Sequence, residues 1–103
     1  MLLVNIDYIP GKSFEVLGMV RGNVVQCKSF GSDFMAGMKN LVGGEVSAYT
    51  DMLNEARQLA VKRMVDQAEE MGADAIVNVR YASASVMQGA AEVIAYGTAV
   101  KYV

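Results

Sequence analysis

From Ser47 to Met71 the apolar side chains return every three or four residues: Tyr49, Leu53, Ala56, Ala60, Met64, Ala68 and Met71. A strand cannot produce that spacing, because its side chains alternate with period two. The pattern predicts one long amphipathic helix. Asp51, Glu55, Gln58, Lys62, Asp66, Glu69 and Glu70 fill its other side. Ser47 suits the N-cap, and Gly72 suits the C′ position that ends a helix. At ~1.5 Å per residue the helix reaches about 37 Å, enough to cross a sheet. A helix with a single apolar stripe must bury it against a second layer, so the flanking sequence has to supply that layer.

The flanks read as strands. Leu2–Ile9 is rich in β-branched and aromatic residues and stops at Pro10-Gly11. Phe14–Val20 predicts a second strand, Gly22-Asn23 a turn, and Val24–Cys27 a short further piece. Ser32-Asp33 can cap a short helix running to about Leu41, with Phe34, Met38 and Leu41 at helical spacing. Gly43-Gly44 would end it. After the long helix, Ala73–Tyr81 reads as a strand with Ala75, Val77, Val79 and Tyr81 on one side and Ile76, Asn78 and Arg80 on the other. Ala82–Ala91 is small and polar, as expected of a hairpin loop or an irregular bulge.

Glu92–Val103 is the expected last strand. One face carries Val93, Ala95, Gly97 and Ala99, and the other Ile94, Tyr96, Thr98, Val100 and Tyr102. An antiparallel strand with one wet face should alternate apolar and polar. This one is apolar on both faces, so the expectation is cover on both, by the helix on one side and by a neighbouring subunit on the other. The fold class expected is α+β: two layers, an antiparallel sheet on one long helix plus a short one.

Composition narrows the function. The 103 residues include no His, no Trp and one Cys; 53% are apolar and 19% charged. Without His, a Ser-His-Asp or Cys-His catalytic pair and a His-ligated metal are excluded. One Cys makes neither an intramolecular disulfide nor a CxxC zinc site. A net charge of −2 without basic clusters argues against nucleic acid. No apolar run approaches the ~20 residues of a membrane-spanning helix. A lone Cys with no secretory signal fits a reducing compartment, so the expected location is cytoplasmic. The apolar surplus, with eight Met, is either core padding or an oligomer interface.

Candidate chemistry is sparse. Cys27 is the only thiolate ligand and the only strong nucleophile; a lone Cys is most often a small buried hydrophobe. Lys28 beside it could favour a thiolate, although alternation points strand neighbours to opposite faces. In a symmetric ring, copies of Cys27 could converge on one soft metal. Gly43-Gly44, at the start of the long helix, is a weak anion-site candidate, since Glu45 already stands there to complement the helix dipole. Asp33 and Asp74 flank elements, where an acidic residue usually caps backbone. Arg57 reads as solvated or interfacial. None of this makes an active site, so no enzyme is expected.

The motifs together resemble the YbjQ family of small bacterial and archaeal proteins. The residues are Asp33-Phe34-Met35-Ala36-Gly37, Asn40 and Val42-Gly43-Gly44, then Tyr49, Leu53, Ala56-Arg57 and Ala60. Gly72-Ala73-Asp74-Ala75-Ile76-Val77 and Gly97-Thr98-Ala99-Val100 complete the set, with Gly18 and Gly22 earlier. The resemblance implies a single domain over 1–103 with a dodecin-like subunit, assembled into a ring-shaped homo-pentamer. It also implies the family's heavy-metal-binding label. Two departures stand out: Glu45 where the family usually has Arg, and Asn78-Val79-Arg80-Tyr81 where its third strand is often acidic. The reading is a non-catalytic homo-oligomeric module binding a soft or heavy metal through Cys27. The alternative is an assembly protein holding an anion or small ligand between subunits.

Overall fold

The structure is a computed structural model and describes residues 1–27 and 47–103. The chain gives β1 (Leu2–Leu3), β2 (Phe14–Cys27), α1 (Ser47–Glu70), β3 (Ala75–Met87) and β4 (Ala90–Tyr102). The four strands form one sheet in the order β1-β3-β4-β2. β4 is antiparallel to both β2 and β3, whereas β1 runs parallel to β3. The class is α+β, as expected, but the sheet is mixed rather than purely antiparallel. The short helix expected from Ser32 to about Leu41 lies outside the described residues.

The long helix matches its periodicity closely. Its buried stripe is Met52, Ala56, Ala60, Met64 and Ala68, with Leu53 packed at its margin. The seven polar residues expected opposite are all exposed. Met71 is not part of the stripe; it is largely exposed beyond the last turn. Gly72 adopts φ +80°, its N–H donating to the Glu69 carbonyl while Ala73 N–H reaches back to Ala68. That pair of bonds is the Schellman stop, which glycine enters without a Cβ penalty.

Against this stripe the sheet offers Val20 and Val24 of β2, Ile76 of β3, and Val93, Ala95 and Ala99 of β4. The alanines let the helix come close, and at one point it comes very close. A Cβ on Gly22 would collide with the Ala60 carbonyl oxygen and stand 2.8 Å from the Arg63 Cβ. Gly22-Asn23 is therefore not the turn its composition suggests. β2 runs straight through it for 14 residues, and the glycine marks a close backbone approach.

Two further expectations are corrected. The N-terminal strand is Leu2–Leu3 instead of Leu2–Ile9, although Val4 and Ile6 still share backbone hydrogen bonds with Ile76, Asn78 and Val79 of β3. The following residues leave the strand path; Ile9 is buried in a second cluster with Ala75, Val77 and Val100, flanked by Val4, Phe14 and Tyr102. This cluster covers the sheet face away from the helix. One end of that face of β4 is thus covered by the chain's own N-terminal segment, not by a neighbour.

The other correction concerns β3 and β4. They extend to Met87 and start again at Ala90, so most of the expected 82–91 loop is strand. The register slips between Val77 and Arg80, where Asn78 sits at φ +53°. This bulge inserts one residue, and a one-residue shift exchanges the two faces. Ala75 and Val77 consequently lie away from the helix, while Val79 packs against the helix-side core and Tyr81 pairs with Ala95 of the helix face. Strict alternation had placed all four on one side.

Candidate functional site

Cys27 ends β2, and the residue is exposed rather than buried as a core cysteine would be. It stands opposite Ala90 on β4, and Ala90 in turn stands opposite Met87 on β3. Residues directly opposite each other across a sheet share a face. A thiol and a thioether therefore project from one side of the same row, separated by the small side chain of Ala90. Both are soft donors, suited to thiophilic metals rather than to Mg2+ or Ca2+. Sequence reading found Cys27 but not Met87, because nothing local indicates that a residue 60 positions away lies in the same row.

The row sits at the sheet's far end. From Tyr81 to Gln88 every residue of β3 and its turn is exposed, including Val86 and Met87. Among the described residues, no group of three His, Cys, Asp or Glu converges. Among the described residues this row thus offers two soft donors, short of the four that a closed soft-metal site uses. Lys28, Gly43, Gly44, Glu45 and Asp33 lie outside the described residues.

The remaining candidates fall into structural roles. The Asp74 carboxylate accepts the Tyr102 N–H at 2.8 Å, while its own N–H donates to Val100. It pins the start of β3 to the end of β4, the capping role expected of it. Arg57 is exposed on α1, with one N–H donating to Asn54 Oδ1 at 2.8 Å. At the outer edge of β2 the helix supplies partners: Gln67 Oε1 accepts the Arg21 N–H, and Arg63 donates to the Asn23 carbonyl, each at 2.8 Å. Arg80 donates to the carbonyls of Asn5 and Val79 and so braces the bulge. No described helix is long and apolar enough to cross a membrane.

A sequence model of the YbjQ family, described as "Putative heavy-metal-binding", matches residues 1–103. The chain belongs to the YbjQ family. It is 58% identical over 103 residues to a UPF0145 protein of Alkaliphilus metalliredigens, covering 100% of each chain. A UPF0145 protein of Clostridium novyi is 56% identical over 101 residues, covering 98% of each. Among solved structures, a protein of unknown function in the DUF74 family from Pediococcus pentosaceus superposes with a TM-score of 0.65 at 15% identity. That match covers 100% of this chain and 98% of the other, and it supports the fold alone.

Proposed function

We propose that this YbjQ protein is a non-catalytic, homo-oligomeric module that holds a soft metal ion or related thiophilic species through Cys27. The observation that carries the reading is the row at the far end of the sheet. An exposed Cys27 and the thioether-bearing Met87 share one face across Ala90. The family description supports the metal class. The shortage of donors within one described subunit favours a site completed by symmetry, with copies of the row brought together in a ring. A pentamer is the assembly the family resemblance implies, and the long uncovered hairpin is the surface such an assembly would use.

The chemistry asked of the protein is binding alone. Cys27 would supply a thiolate and Met87 a neutral, polarisable thioether, a pairing that prefers Cu(I)-like ions to hard cations. Titration with Cu(I) under anaerobic, reducing conditions tests this, with stoichiometry measured per oligomer by native mass spectrometry. Cys27→Ser should abolish tight binding, and Met87→Leu should weaken it by roughly tenfold, the scale expected when a supporting metal contact is lost. Equal binding by the wild type and Cys27→Ser would overturn the proposal.

A further inference from the structure

Three basic residues lie on α1, and two of them are committed. Lys62 Nζ is 2.9 Å from Asp66 Oδ2, and Arg63 holds the Asn23 carbonyl. Arg57 differs: among the described residues its hydrogen bond goes to the neutral Asn54 amide oxygen, and no carboxylate pairs with it. Asn54, Arg57, Gln58 and Val61 follow each other at helical spacing, so they share one stripe of the helix. That stripe borders β3, over which the helix barely extends. Together with Tyr81 it bounds an open cleft of about 360 Å³.

Each wall offers a distinct contact. Val61, packed at the edge of the core, gives an apolar floor. Tyr81, turned to the helix side by the bulge at Asn78, adds a half-exposed aromatic ring. Arg57 contributes a guanidinium with five N–H donors, of which Asn54 takes one. Gln58 adds an amide that can donate or accept. A planar guanidinium matches a carboxylate through two parallel hydrogen bonds. Among the described lining residues Arg57 is the single cation, and one monovalent cation suits a singly charged carboxylate better than a phosphate. The cleft volume lies at the small end of ligand pockets.

The geometry points to a carboxylate-recognition cleft between α1 and β3, in which Arg57 binds the anion and Tyr81 and Val61 take its aromatic or aliphatic body. The carboxylate comes either from a small organic acid or from an acidic side chain of a second copy of this chain. None of its described lining residues carries sulfur, so the proposal stands or falls independently of Cys27.

The test uses the full chain with 15N-labelled arginine, following the Arg57 Nε–H resonance while titrating benzoate, with benzyl alcohol as the uncharged control. Oligomer mass is measured in parallel for wild type, Arg57→Gln and Arg57→Lys; all three keep the fold because the side chain is exposed. A free acid as ligand predicts a saturable shift with benzoate alone. Affinity, followed on neighbouring backbone amides, then falls at least tenfold in Arg57→Gln and is only partly restored in Arg57→Lys. A carboxylate from a second copy predicts no benzoate shift in wild type but a lower oligomer mass for Arg57→Gln. Equal benzoate responses in wild type and Arg57→Gln, or no response together with an unchanged mass, overturn the proposal.

Discussion

The two ends of the β3–β4 ribbon are built from the same ladder and live in different surroundings. At the near end Ala75, Ile76, Val77, Ala99 and Val100 are buried, sealed by α1 on one face and by Ile9, Val4 and Phe14 on the other. At the far end residues 81–88 are exposed without interruption. The outer edges differ in the same way. β2 has two of its edge groups, the Arg21 N–H and the Asn23 carbonyl, satisfied by Gln67 and Arg63, whereas β3 loses its β1-side partners beyond Val79. Hydrogen-bonded pairing alone therefore does not bury a strand; the layer above and below it does. An uncovered edge with free N–H and C=O groups is a template for another strand. Among the described residues, the far end is accordingly the exposed part of the β3–β4 ribbon.

Substitutions at matched positions can break that comparison. The largest effect is expected from Val100→Asp, which puts a charge where both faces are sealed and exposure is 0%. The cost should exceed about 4 kcal/mol and leave little folded protein. A urea midpoint near that of wild type would show that the N-terminal cover is loose. Gly22→Val comes next, because any Cβ there meets helix backbone, which cannot rotate away as a side chain could. A loss of about 3 kcal/mol is expected, with near-normal strand circular dichroism if the helix lifts off. Smallest on the subunit itself should be Tyr96→Asp, on the same strand and face as Val100 but 37% exposed. Its unfolding free energy should move by no more than about 0.5 kcal/mol at matched protein concentration. A collapse as severe as that of Val100→Asp would mean that the middle of β4 is as fully sealed in solution as its end.

Much of the scaffold was legible in the chain, and the misses have physical causes. The helix stripe, its polar face and the Gly72 stop could be read because each depends on residues within one or two turns. Asp74 was read correctly as a backbone cap for the same reason. Gly22 was misread because a glycine required by a crossing helix looks the same as a glycine required by a turn. The bulge at Asn78 escaped because alternation was assumed to persist, and so the faces of Val79 and Tyr81 were exchanged. Ala82–Met87 read as loop because small and polar residues carry little strand propensity, yet pairing with β4 holds them extended. Of the candidate site, Cys27 is legible as the one thiol, with core and ligand roles both open; its exposure and its row with Met87 depend on inter-strand register.

By itself the sequence determined the long amphipathic helix, the two-layer α+β plan, the absence of histidine chemistry and the membership in the YbjQ family. The first three follow from composition and from periodicities that each segment carries within itself, and the membership from motifs and identities spread over the whole chain. Only the tertiary structure decided which face each strand presents, how the N-terminal segment seals Val100, that Met87 joins Cys27, and that Arg57 opens onto a cleft with Tyr81. Each of these depends on register between segments far apart in the chain. A single inserted residue, as at Asn78, reverses the outcome without leaving a local mark.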